Sequence, residues 1–301
     1  MTLKPTTWLK LLFHLALGIT VLEAQSEPRW KSKMKDAVRE KLMDRIRADI
    51  QDAANVTTAS LERHLESKRE SVRRDIWALY WRESLASVDA RLRTTVVRLM
   101  LRELPDESPM IQGQLAKWLQ EFQKLDFDAA SRDLLLKSPW SSDFAPQVIR
   151  LLGIAEVREA RPRLERELQE GSLMNDAGAA YFDTTWAAML ALSRLGNDTA
   201  LQRVIRQVKQ ERDIIVRATV LFPDLAYTLR RPAFEALAAY TNSQERLPEL
   251  RSGEPGRLEA AYAAAAFARG VRDFPFQDPD LTERQVVQAR AWIDSHVWEL
   301  K

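Results

Sequence analysis

Apolar residues recur at intervals of three and four along most of this chain, and the pattern is interrupted by proline, glycine and serine without turning into strict alternation. From Met34 to Ile50 the apolar positions are Val38, Leu42, Met43, Ile46 and Ile50, with Lys35, Asp36, Arg39, Glu40, Lys41, Asp44, Arg45 and Arg47 between them. That spacing predicts an amphipathic helix with one packed and one wet face. A second helix is predicted through Leu61, Leu65, Val72, Ile76 and Leu79, and a third through Leu85, Val88, Leu92, Val96, Leu99 and Met100. Pro105 should stop the third, because it has no N–H to donate and clashes with the preceding turn. Ser108 and Pro109 then read as the cap and first position of a helix carrying Leu115, Trp118, Leu119 and Phe122. A serine hydroxyl accepts a backbone N–H there, and the proline sits where its missing N–H is not needed. Residues 138–146, with Pro139, Pro146 and three serines, read as a loop. They divide an N-terminal amphipathic helical region, 25–137, from a repeat region, 138–301.

Two segments of the second region, 151–169 and 191–209, carry the same pattern forty residues apart. At that offset Leu152 meets Leu192, Gly153 meets Ser193, Ala155 meets Leu195, Ala160 meets Ala200, Leu164 meets Val204 and Leu168 meets Val208. A helix ending on a small residue, a short turn, an alanine and then leucine or valine every four residues describes a helical hairpin. Thr199 and Gln202 would form a capping box in the second copy. The pattern resembles the HEAT-like repeats of the phycobilisome-lyase type, through Leu152, Gly153, Ala160, Pro162 and Leu164 in the first copy and Leu195, Gly196, Asn197, Ala200 and Val204 in the second. Glu156 and Val157 replace the usual Gly-Asp turn of the first copy, and Gln202 replaces the proline of the second. The resemblance covers about a third of the chain. It implies an all-α fold, a HEAT-like α-solenoid of stacked antiparallel helix pairs with a more irregular N-terminal part, and protein interaction as the role. A diverged third unit is expected through Pro232, Phe234, Ala236, Leu237 and Tyr240, then an alanine-rich helix over 258–267. The last helix would open on Asp280 and Glu283 as a capping box and run through Val286, Val287, Trp292 and Ile293. An irregular helical bundle with two similar hairpins is the alternative.

Composition narrows the function classes. At 301 residues with 46% hydrophobic content the chain can build a sizeable core, and nine glycines are few for a protein of this length. Lys and Arg total 45 against 43 Asp and Glu, a balance too even to point to nucleic acid as the partner. Cysteine is absent, which excludes disulfides, thiol nucleophiles and thiolate metal sites. Lys4 and Lys10 precede an apolar run over 11–22, interrupted by His14, Gly18 and Thr20 and followed by Ala24. That order reads as a secretory signal peptide over 1–24, too short for a membrane span, which places the mature chain outside the cytoplasm without a transmembrane segment.

Candidate chemistry is sparse. Beyond the signal segment the histidines are His64 and His296, with no second histidine at metal-ligand spacing, and no G-x-S-x-G elbow accompanies them. Asp126, Asp128 and Asp133 fail as a calcium loop, since Ser131 and Lys137 occupy the positions that require glycine and glutamate. Asp278, Asp280 and Glu283 read as helix capping. Glycines too scattered for a nucleotide loop argue against a nucleotide cofactor. No catalytic, cofactor-binding or metal-ligating residue is assigned. Trp77, Tyr80 and Trp81 could form an aromatic platform but at helical spacing read first as core. Lys68, Arg69, Arg73 and Arg74 read first as a solvated face. The expectation is an exported, non-catalytic scaffold that binds a protein partner. An envelope carbohydrate-binding or carbohydrate-processing protein and peripheral membrane contact through 31–74 are the alternatives.

Overall fold

The computed structural model describes residues 29–51, 57–66, 70–139, 144–170, 181, 183–248, 256–268, 270–271, 274–276 and 281–296, with side chains from residue 37 onward. The signal segment over 1–24, Lys68, Arg69, Asp278 and Asp280 lie outside the described residues. The fold is all-α. In order the helices are α1 (Arg29–Gln51), α2 (Thr58–Leu65), α3 (Glu70–Ala86), α4 (Ala90–Glu103), α5 (Pro109–Leu119), α6 (Ala129–Lys137), α7 (Ala145–Ile154), α8 (Arg161–Glu170), α9 (Thr184–Arg194) and α10 (Asp198–Gln210). Next comes α11, assembled from Ile214–Val216, the π-helical Arg217–Leu221 and Phe222–Tyr227, and then α12 (Arg231–Tyr240), α13 (Glu259–Ala268) and α14 (Glu283–His296). Among the described residues extended pairing is confined to an isolated bridge between Arg246 and Leu258. The π segment has a local cause: it immediately precedes Phe222 and Pro223, and the longer turn lets the helix continue past a proline that cannot donate to the ladder.

Short acceptor side chains start half of these helices. The carboxylates of Asp89, Asp128 and Asp183 accept the N–H groups of Arg91, Ser131 and Trp186 at 2.8, 2.8 and 2.7 Å. Three capping assignments from sequence shift by two residues or change role. The cap of α10 is Asn197, whose side-chain oxygen accepts the Ala200 N–H at 3.0 Å, so Thr199 falls inside the first turn. Ser108 does occupy the cap position of α5, but its hydroxyl donates to Glu70 and makes no cap bond. The box that opens α14 is Thr282 with Gln285, the Gln285 side chain accepting the Thr282 N–H at 2.9 Å. Asn197→Ala should therefore cost about 1 kcal/mol in urea unfolding, while Thr199→Ala stays within about 0.5 kcal/mol of wild type. The opposite order would reassign the cap.

Packing is dominated by partners close in sequence. Besides neighbouring helices, α1 packs on α3, α2 on α4, α3 on α5, α4 on α6, α5 on α7, α7 on α9, α9 on α11, α10 on α12, α11 on α13 and α12 on α14. One hydrophobic cluster runs through these layers from Ile46 to Ile293. The most enclosed helix is α9, buried without interruption from Thr185 to Ser193. Its alanines, Ala187, Ala188 and Ala191, let α7 and α8 approach closely. Every residue aligned at the forty-residue offset is buried except Leu168, which is half-buried.

The turns explain the offset better than the side chains do. At the end of α7 the Val157 N–H donates to the Leu152 carbonyl at 2.9 Å and the Glu156 N–H to Gly153 at 3.2 Å. At the end of α9 the Asn197 N–H donates to Leu192 at 2.9 Å and Gly196 to Ser193 at 3.1 Å. Both are Schellman closures, which need a left-handed residue just past the helix. Among the described residues that conformation occurs at Glu156 (φ 51°), Gly196 (φ 94°) and Leu229 (φ 50°). Leu229 holds the same place between α11 and α12, its N–H donating to Ala226 at 3.1 Å. The Gly-Asp turn that sequence finds missing from the first copy is thus present as geometry, with Glu156 in the glycine's conformation.

Two expectations about apolar faces are corrected. Val88 is 99% exposed because it lies in the short connection between α3 and α4, not on a helix. On α1, Ile46 and Ile50 are buried, but Val38 is 67% and Leu42 37% exposed: Arg39 pairs with Asp75 of α3, and Val38 and Leu42 sit around the helix from the side that α3 meets.

Candidate functional site

Polar contacts join helices that are not adjacent in sequence, and many link residues 30 to 37 positions apart. Arg93 meets Asp126 at 2.7 Å, Arg73 meets Glu107 at 3.1 Å, Lys124 meets Glu156 at 2.6 Å, and Arg98 pairs with Asp128. Further along, Arg194 donates to the Tyr227 carbonyl at 2.7 Å, Arg161 donates to the Leu195 carbonyl, and Arg230 reaches both the Ser193 carbonyl and Asp198. Apart from Arg73–Glu107, which joins the start of α3 to the α4–α5 connection, these groups reach the turns at which the odd-numbered helices give way to the even-numbered ones.

Where α6 faces the α7–α8 turn, this edge opens into a cleft of about 490 Å³. Its wall carries Lys124, Arg132, Asp133, Glu156, Arg158 and Glu159, with Leu136 and Val157 as apolar members. Glu156 is engaged by Lys124 and Asp133 by Lys137, both at 2.6 Å. Arg158 and Glu159 are exposed and make no ion pair with a described residue, and the Arg132 Nε is shielded from solvent without an acceptor. A shielded N–H without an acceptor costs about 1–3 kcal/mol, so a ligand oxygen reaching it would recover free energy on binding. Glu156 adds backbone strain of about 1–2 kcal/mol at the rim. The lining has no histidine, hydroxyl or aromatic ring. Such a cleft suits charged and polar groups of a partner, held by guanidinium and carboxylate hydrogen bonds.

The carboxylates singled out in the sequence serve the scaffold. Asp126 is buried, accepts from Arg93 and caps its own turn through the Gln123 N–H at 2.9 Å. Asp128 caps α6. Partial burial alone would raise its carboxyl, but the Ser131 N–H and the Arg98 guanidinium outweigh that and hold it below the usual carboxylate value. Asp133 lies on the cleft wall. Glu283 pairs with Arg246 across to the bridge segment. Among the described residues no three His, Asp or Glu side chains converge on a point where a metal ion could sit.

The aromatic trio is core. Trp77 and Tyr80 are fully buried and meet edge to face, and Trp81 stacks on Trp118 with ring centres 5.2 Å apart. Trp77 donates to Glu107 at 2.9 Å. His64 links Asp49 of α1 to Tyr80 of α3 at 3.1 and 2.8 Å, and burial pushes the Tyr80 phenol upward. His296 stacks on Trp292 at 4.1 Å. Arg73, from the basic run, is drawn to Glu107.

Sequence reasoning missed a buried polar group that joins three layers. Asp224 of α11 accepts both terminal nitrogens of Arg150 from α7, at 2.5 and 3.1 Å, and the indole N–H of Trp186 from α9 at 2.6 Å. Tyr227 donates to the Arg150 carbonyl at 2.5 Å, and Arg194 lies 5.1 Å from the centre of its ring. Burial would lower the Arg150 guanidinium, but Asp224 more than offsets it and the group stays charged. Burial pushes the Tyr227 phenol up to about 12 despite the two nearby guanidiniums. Neither Arg150 nor Asp224 lines the cleft, so this group acts as a rivet between layers. The available signal was weak: Trp186 and Asp224 are 38 residues apart, close to one repeat, but Arg150 and Asp224 span 74.

No protein-family model matches the chain, and no curated protein or solved structure matches it.

Proposed function

We propose that this chain is an exported, non-catalytic scaffold that binds a protein segment along a HEAT-like array of antiparallel helix pairs. The observation that carries the reading is the recurrence of a left-handed residue just past α7, α9 and α11, at Glu156, Gly196 and Leu229, the first two closed by the same turn, in a chain whose described helices pack on near neighbours in sequence. Stacks of that kind bury hydrophobic faces only against adjoining pairs and leave an elongated surface for a partner. The cleft beside α6 supplies the polar end of that surface. Arg132, Arg158 and Glu159 are its charges without an ion pair among the described residues, and the two guanidiniums suit an acidic or carboxamide side chain of the bound segment. Export follows from the order of Lys4, Lys10, the apolar run over 11–22 and Ala24. The carbohydrate alternative needs aromatic rings beside acids, and the cleft has acids without rings.

Crosslinking of the tagged chain in the envelope of its host, followed by mass spectrometry, tests this reading. One recurrent protein joined to residues within 124–270, and lost on Arg132→Glu/Arg158→Glu, is the expected result. Capture of glycan in place of protein, or a partner held equally well by the charge-reversed variant, would overturn it.

A further inference from the structure

A stack of helical pairs needs a polar outer face on its terminal helices, because nothing packs beyond them. The first described helix, α1, departs from that rule. Its C-terminal half is anchored through Ile46 and Ile50, both buried, and its principal distant contact is with α3. One strip of the remaining surface, at positions i, i+3, i+4 and i+7, carries Val38, Lys41, Leu42 and Arg45. Val38 is 67% exposed and Leu42 37%, and Lys41 and Arg45 are exposed without an acidic partner among the described residues. The acids of the same helix are disposed elsewhere. Asp44 is bound to Arg47, Asp49 to His64, and Glu40 falls about 160° around the helix from Leu42.

Charge complementarity identifies the occupant. Over residues 29–41 six bases stand against two acids, Asp36 and Glu40; Arg39 is engaged by Asp75 of α3, which leaves Arg29, Lys31, Lys33, Lys35 and Lys41 as the cluster, with Trp30 at the start of the run. A cluster of four to eight Lys and Arg residues on an amphipathic helix is the signature of attraction to anionic lipid headgroups. Apolar side chains interleaved with those bases can enter the boundary between headgroups and acyl chains. No helix among the described residues is long and apolar enough to cross a membrane, so this contact would be lateral. We infer that α1 is a membrane-surface helix, lying along an anionic bilayer through Val38, Lys41, Leu42 and Arg45. The rest of the array would then project into the aqueous phase. This goes beyond partner binding and does not rest on it: the cleft and the strip lie on different elements.

The test is vesicle flotation of the full chain, as it accumulates in an expressing cell, with vesicles of phosphatidylcholine alone or with 30% phosphatidylglycerol, on the order of the anionic content used to probe such helices. Any contribution from residues 1–28 is common to all variants, so the differences between them carry the result. Lys41→Gln/Arg45→Gln should lower partitioning into anionic vesicles about 30-fold, and 0.5 M salt should weaken the wild type. Val38→Ser/Leu42→Ser should also lower it, while Val88→Ser/Leu125→Ser, exposed apolar residues elsewhere on the array, should not. All substituted side chains are exposed, so melting curves should match wild type. Partitioning unchanged in Lys41→Gln/Arg45→Gln, equal binding to both vesicle types, or no binding by the wild type would overturn the inference. So would a dimer that Val38→Ser/Leu42→Ser dissociates, since a second copy would then cover the strip.

Discussion

Replacing Asp224 by alanine should destabilise the protein by about 3–5 kcal/mol, a large part of the 5–15 kcal/mol that holds a typical domain together. The reason is the inventory of groups left behind. Asp224 is the counter-ion of Arg150, whose side chain is 18% exposed, and the acceptor for the buried Trp186 indole. Removing it strands a charge and an N–H together in a region of low dielectric. The same single change affects α7, α9 and α11, since each contributes one member of the group. Urea unfolding followed by tryptophan fluorescence would read the loss directly. Arg150→Met/Asp224→Leu should recover part of it, because a buried pair replaced whole costs far less than a pair broken. A single-variant loss below about 1 kcal/mol would mean that water reaches Arg150 and that the rivet does not hold.

Gly153→Ala should be destabilising by about 2 kcal/mol, against the gain of about 1 kcal/mol that the same change brings in an exposed helix. An added methyl at Gly153 would collide with the Tyr227 hydroxyl and lie 3.1 Å from the Ala191 Cα. The first obstacle cannot swing away, since that hydroxyl is tied to the Arg150 carbonyl, and the second is backbone. In the Gly153→Ala background, Tyr227→Phe should therefore cost less than it does in wild type, because removing the hydroxyl relieves the collision. Equal cost in both backgrounds, read as a double-mutant cycle by urea unfolding, would show that the helices simply move apart.

Gly153 also shows how far the sequence could be read. The forty-residue offset picked it out as a repeat position, and the structure supplies the cause, a close approach of α7 to α9. Helical class and the buried stripes of the two copies were legible because periodicity reports burial on one face of a helix. The cap of α10 was misplaced by two residues because Asn197 and Thr199 are both plausible acceptors, and backbone angles decide between them. Val88 was misread because a three-residue connection does not break a period of 3.6 visibly. The cleft was not legible at all, since its charges come from Lys124, α6 and the α7–α8 turn, which only tertiary packing brings together. The Arg150, Asp224 and Trp186 group was hidden for the same reason, its members being dispersed over 74 residues.

The packing of each helix on its near neighbours bears on how the chain loses structure. A fold closed by contacts between its two ends must open everywhere at once, whereas among the described residues α1 or α14 can detach by breaking one or two interfaces and leave the remainder intact. Free energy of opening should then be graded, lowest at the two terminal helices and highest at α9, which is enclosed by α7, α8, α10 and α11. Amide hydrogens would exchange in that order, and in α1 the loosened helix carries Val38 and Leu42, exposed apolar side chains that a new neighbour could cover.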